Sequence, residues 1–227
     1  MGSYINVGNA GFQSARKKDY VDKSGLIAVV NDTLGTNFCC SCVTRCRRFG
    51  KSMAAKMLCA YYDQSCDSRS LFADLKISED PSFEEHLNKY PVIFLDMSDF
   101  VTEIKDATIV KKMQQIVKAD IHDEYPDIPM EEDESLMTYL IRVNARTNQQ
   151  FFFIIDEWDA IYREFQDSSG VMDEYVDWLR RLFKSGQTAD VFAGVYMTGI
   201  LPIKKYNTQS ALNNFTEYTM VAPKDMA

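Results

Sequence analysis

Short apolar runs alternate with segments of helical spacing along most of this chain. The runs at 39–43, 92–96, 151–155 and 191–197 read as buried strands, and 217–221 as a last one. Helices are expected at 27–34, 51–62, 107–121 and 135–148. Shorter helices are expected at 68–75 and 83–88. A further helix carries Met172, Tyr175, Val176, Leu179, Leu182 and Phe183 at helical spacing. The first twenty residues read as mostly irregular. Strands that alternate with helices imply a mainly parallel sheet, since each crossover helix must cover a sheet face.

Two strand ends carry chemistry. After the first strand comes Arg45-Cys46-Arg47-Arg48-Phe49-Gly50-Lys51-Ser52. Gly-Lys-Ser between a strand and a helix is the second half of a phosphate-binding loop, with Arg45 where its first glycine would stand. Loop amides and the helix dipole favour an anion there. Lys51 would reach the phosphates and Ser52 would ligate Mg²⁺. Arg45, Arg47 and Arg48 add cations, and Phe49 completes the candidate loop. A solvated basic turn is the other reading of these residues.

The run Phe151-Phe152-Phe153-Ile154-Ile155 ends in Asp156-Glu157. A carboxylate at that strand end suits Mg²⁺ held largely through water, and Glu157 suits a general base for an attacking water. A helix N-cap is the alternative for Asp156. The strand at 191–197 ends in Thr198-Gly199, where Thr198 is a candidate sensor of the terminal phosphate, or simple turn chemistry. A strand and long helices separate Lys51 from Asp156, so their strands are not simply consecutive; with Glu157 this resembles the AAA- and STAND-type ATPase division, which implies that the strand of Thr198 lies between theirs.

Composition narrows the field. The chain has 227 residues, 46% of them hydrophobic, enough for one domain with a substantial core. We divide it into an extension over 1–35 and a nucleotide-binding core over 36–227. A net charge of −8 argues against a nucleic-acid-binding surface. The acid excess gathers at 120–134, which has two prolines and no basic residue and reads as a solvated loop. With no apolar leader and no run near the ~20 residues that span a bilayer, a cytoplasmic location is expected. The six cysteines read as reduced thiols, because Cys39, Cys40 and Cys42 would alternate across a strand and lack zinc-knuckle spacing. Cys46, in the loop, is the thiol expected to meet alkylating agents.

The segments Tyr20-Val21-Asp22-Lys23-Ser24, Arg47-Arg48-Phe49-Gly50-Lys51-Ser52, Tyr90-Pro91-Val92-Ile93-Phe94-Leu95-Asp96 and Ile155-Asp156-Glu157-Trp158-Asp159 together resemble the bacterial AAA-ATPase-like domain family. The resemblance implies a P-loop NTPase three-layer sandwich of the AAA or STAND division, an α/β fold with about five strands and helices on both faces. It implies ATP and Mg²⁺ as ligands and Tyr20 to Lys23 near the base. Arg45 is then a family trait, whereas Cys46 replaces the family's usual proline. Family members often carry a C-terminal restriction-endonuclease-like nuclease domain, and this chain resembles the ATPase half alone. Lys204 and Lys205 are the nearest cations to an arginine-finger position and read as a solvated turn. The expected function is ATP binding with slow Mg²⁺-dependent hydrolysis. The alternatives are a non-hydrolysing switch or interaction module, binding ATP or GTP, and a scaffold with a vestigial loop. A protein partner or a second copy is compatible with each.

Overall fold

The computed structural model describes residues 2–17, 20–203 and 212–219. Along the chain they form α1 (Ala10–Arg16), α2 (Gly25–Asn31), β1 (Cys40–Thr44), α3 (Lys51–Tyr62), α4 (Arg69–Phe72), a 3₁₀ turn (Lys76–Glu79), α5 (Phe83–His86), β2 (Val92–Asp96), α6 (Met97–Glu103) and α7 (Ile109–Glu124). There follow α8 (Leu136–Thr147), β3 (Phe151–Asp156), α9 (Ala160–Glu164), α10 (Ser169–Phe183), α11 (Thr188–Val191), β4 (Phe192–Gly199) and β5 (Thr216–Tyr218).

The five strands form one parallel sheet in the order β2-β3-β4-β1-β5. The strand of Thr198 does lie between the strands that carry the two motifs. Successive side chains on a strand point to opposite faces, and both faces are covered here. Val92, Phe152, Ile154 and Tyr196 pack with Phe12, Ile27, Leu58, Tyr62 and Phe72, from the helices preceding β2. Ile93, Leu95, Phe151, Phe153, Ile155, Val195 and Met197 pack with residues of α6 to α10. The Tyr62 and Phe152 rings stack 3.9 Å apart, fixing α3 against the centre of the sheet. This is the covered parallel sheet that the alternation predicted, and it is consistent with the α/β P-loop-like sandwich that the resemblance implied.

Local differences have local causes. α1 was missed because Phe12 is its one buried residue, too little for a periodic stripe. α6 starts directly on the end of β2, where the Asp96 carboxylate accepts the Ser98 N–H at 2.9 Å as its N-cap. α9 and α11 are too short to show a period. β1 begins at Cys40, so Cys39 lies just outside the strand. Its sulfur is 4.0 Å from that of Cys40, and Cys39, Cys40 and Cys42 all join one core cluster rather than alternating between faces.

The acidic stretch is anchored rather than merely solvated. α7 continues to Glu124, and the Asp120 carboxylate accepts the backbone N–H groups of Ser3, Tyr4 and Ile5. The buried Lys118 ammonium gathers the carbonyls of Glu131, Glu132 and Glu134. A buried ammonium must be satisfied this way, which organises a loop that its charges alone would extend. No helix of the described residues is long and apolar enough to cross a membrane. Lys204 and Lys205 lie outside the described residues, as does the far end of the expected strand at 217–221.

Candidate functional site

A parallel sheet delivers the C-terminal ends of all its strands to one edge, the usual place for a ligand. Here that edge gathers Thr44, Asp96, Asp156, Thr198 and Gly199. Asp96 pairs in register with Asp156, Val43 with Thr198, and Thr44 with Gly199. The loop from Arg45 to Gly50 then turns the chain into α3.

Gly50 caps α3 with φ +77°, the left-handed conformation that glycine adopts without steric cost. Arg48 shares that region at φ +70°. Lys51 folds back over the loop, and its ammonium donates to the carbonyls of Arg45 at 2.9 Å and Cys46 at 3.0 Å. The Arg45 guanidinium turns to the Thr44 carbonyl at 3.1 Å and the Tyr218 carbonyl at 3.2 Å, which ties the loop to β5. Arg47, Arg48 and Phe49 are exposed.

Asp156 is fully buried at the end of β3. One carboxylate oxygen accepts the Thr198 hydroxyl and, at 3.0 Å, the Glu157 N–H. Among the described residues its other oxygen, also buried, has no hydrogen-bond partner. Burial pushes this carboxyl above the usual carboxylate range. The nearby hydroxyls of Ser52 and Thr198 oppose that rise, and the charges of Asp96 and Glu157 add to it. The structure thus joins Asp156 and Thr198 by a hydrogen bond at the strand ends, with Ser52 at the start of α3 and Lys51 on the adjacent loop.

Glu157 sits at φ +51°, an uncommon conformation for a side-chain-bearing residue. Its carboxylate is ion-paired to Arg163, which also reaches the buried Asp159 at 2.9 Å. Asp159 in turn accepts the N–H groups of Ile200 and Leu201, just past β4. Arg163 therefore couples the Glu157 carboxylate to the segment that follows Thr198. The close approach of this network requires Gly199: a Cβ there would stand 2.4 Å from the Trp158 ring and 2.8 Å from the Asp159 carboxylate.

Sequence reasoning did not assign Arg163, Asp159 or Asp96 to the site. Asp96 could have been found as a second strand end in Asp. Arg163 had only its i,i+4 spacing from Asp159 as a signal. From the segment Tyr20 to Lys23, the Lys23 ammonium donates to the Phe49 carbonyl of the loop at 2.7 Å.

Residues 6–208 match the family model described as a predicted AAA-ATPase. The chain belongs to the AAA-ATPase-like family. No curated protein matches it significantly. Membership places the loop and the β3 end within a family of ATPase-like, nucleotide-binding character.

Cys46 is exposed within the loop, whereas Cys39, Cys40, Cys42 and Cys59 are buried. Alkylation at neutral pH is expected to label Cys46 first, and bound ATP to slow that labelling. Peptide mapping by mass spectrometry reads both, and equal labelling with and without ATP would contradict the second.

Proposed function

We propose that this chain binds ATP together with Mg²⁺ and hydrolyses it slowly. The observation that carries the reading is the buried Asp156 carboxylate, one of whose oxygens has no partner among the described residues, near Ser52 at the start of α3. An isolated buried carboxylate is costly, and such a group is retained where a cation completes it. The donors are hard oxygens, which suit Mg²⁺. Among the described residues no three His, Cys, Asp or Glu are gathered into a metal cage. That fits an ion held through one carboxylate, a hydroxyl and the substrate's own phosphates. Ser52 and Asp156 would hold it, and when bound it would offset the charge on the phosphoryl oxygens.

The chain's own residues have the remaining roles. Lys51 leaves the Arg45 and Cys46 carbonyls for the phosphates. The amides of Gly50, Lys51 and Ser52 seat them at the helix N-terminus. The arginines at 45, 47 and 48 and the Phe49 backbone complete the loop. Glu157 accepts the proton of the attacking water, and Thr198 holds Asp156 in place and reports on the terminal phosphate. Adenine over guanine rests on the family description alone. A bacterial, cytoplasmic setting, the absence of direct nucleic-acid contact and a protein or second-copy partner belong to the same reading, as does the ATPase half standing as one unit.

A second reading, a non-hydrolysing switch, draws on one specific observation. Glu157 is engaged by Arg163, which occupies the carboxylate that an attacking water would need. Phosphate release from the purified chain, with ATP or GTP and with or without Mg²⁺, separates the two readings. Release that depends on Mg²⁺ supports hydrolysis. Nucleotide-induced thermal stabilisation without release supports the switch.

Asp156→Asn tests the carrying observation. Because the folded-state pKa of Asp156 is raised, the native state holds more protons than the unfolded chain between the ordinary carboxylate value and the raised one. Stability therefore falls as pH rises through that window, and at neutral pH the charge is a standing cost. The neutral amide is expected to raise the nucleotide-free melting temperature at pH 7 by about 2–4 °C, the shift that ~1 kcal/mol gives at this size. The Mg²⁺-dependent part of the ATP stabilisation should disappear. A variant less stable than the wild type, or one that kept its Mg²⁺ response, would remove Asp156 from the role.

A further inference from the structure

We infer that Lys23 is a positioning residue for the phosphate loop, an inference that rests on the nucleotide-binding reading above. Its ammonium donates to the carbonyl of Phe49 at 2.7 Å. The peptide between Phe49 and Gly50 is trans, so that carbonyl and the Gly50 N–H point to opposite sides of one rigid plane. Holding the carbonyl on the Lys23 side turns the Gly50 N–H to the other, where an anion over the first turn of α3 can accept it.

Gly50 fits this arrangement in two respects. Its φ of +77° suits glycine, and a Cβ at this position would stand 3.0 Å from the Lys23 ammonium. The bare backbone lets the lysine lie against the loop. Lys51 holds the Arg45 and Cys46 carbonyls in the same way. Before nucleotide binds, the two lysines thus grip carbonyls at both ends of the turn; Lys51 then leaves for the phosphates, and Lys23 keeps its hold on the Phe49 carbonyl.

Lys23 is exposed, so its grip depends on how firmly its backbone is held. The flanking residues hold it from two directions. The Tyr20 hydroxyl donates to the Met57 sulfur on α3 at 3.2 Å. The Asp22 carboxylate accepts the N–H groups of Ser24 at 2.8 Å and Lys76 at 3.0 Å. The buried Ser24 hydroxyl accepts the Ile77 N–H at 3.1 Å. The segment is thus pinned to α3 and to the 3₁₀ turn, and the lysine is delivered to the loop from a fixed origin. A residue acting on loop geometry affects every ligand that uses the Gly50 amide. One touching the terminal phosphate directly would discriminate between nucleotides.

The test is calorimetric titration of ATP and ADP into the wild type, Lys23→Met and Lys23→Arg, each at two salt concentrations. Lys23→Met keeps the aliphatic stem and removes the donor. It is expected to weaken ATP and ADP by the same factor, about three- to tenfold, the scale of one exposed hydrogen bond from a charged group. The salt dependence should match the wild type, the nucleotide-free melting temperature should stay unchanged, and Lys23→Arg should recover most of the affinity. Wild-type affinity in Lys23→Met overturns the inference and leaves the nucleotide reading standing. A loss confined to ATP, with a shallower salt dependence, also overturns it, in favour of direct phosphate contact. A wild type that binds neither nucleotide overturns the underlying reading and this inference with it.

Discussion

Glu157→Gln is expected to retain ATP while phosphate release falls by about 10²–10⁴-fold, the range that a positioned general base contributes. Glutamine keeps the shape of the side chain and loses its basicity. The ion pair to Arg163 becomes a neutral hydrogen bond. Both partners are partly exposed, with a quarter to a third of each side chain accessible, so the stability cost should stay below about 1 kcal/mol. The measurement is single-turnover phosphate release beside a binding titration. Turnover equal to the wild type would remove Glu157 from the chemistry. Lost binding would mean instead that the Arg163 network holds the loop together rather than the water.

Lys51→Ala should have the largest effect on affinity. The substitution removes a charge-assisted bond of about 1.5–3 kcal/mol, or roughly ten- to a hundredfold in affinity. Alanine is the best helix former, and α3 is held by the apolar residues from Ala54 to Tyr62, so the nucleotide-free fold should survive. The consequence for thermal shift follows from mass action. A ligand at a hundred times its Kd stabilises by about 2.7 kcal/mol, whereas at its Kd it gives only ~0.4 kcal/mol. ATP at a hundred times the wild-type Kd is then one to ten times that of Lys51→Ala and should stabilise the variant by only about 0.4–1.4 kcal/mol. Equal stabilisation of the two would overturn the assignment of this loop to nucleotide.

These two residues were legible in the sequence because their chemistry is local. A glycine, a lysine and a hydroxyl in succession between a strand and a helix carry their geometry with them. So does an acidic pair that ends a run of five apolar residues. α3 begins at Lys51 and ends at Tyr62, where the pattern placed it, since its start is set by Gly50 and its body by good helix formers. The short helices were illegible for the opposite reason. α6 depends on a cap from Asp96, and α1 on one phenylalanine that stacks on Phe72 across the fold. Neither leaves a period in the sequence.

By itself, the sequence determined the alternation of strands and helices, the parallel sheet, and the two motifs at its edge. Period, composition and chain order are properties of neighbours along the backbone. Only the tertiary structure decided which charges meet. It placed Thr198 on Asp156 and left the second Asp156 oxygen buried without a partner among the described residues. It set Arg163 between Glu157 and Asp159, and it brought Lys23 to the carbonyl of Phe49. Those contacts depend on strand order, on register, and on where a pinned segment releases a long side chain. The Thr198 and Lys23 contacts are settled by packing across the fold rather than by spacing along the chain, and the Arg163 pairs add the left-handed backbone of Glu157 to an i,i+4 spacing.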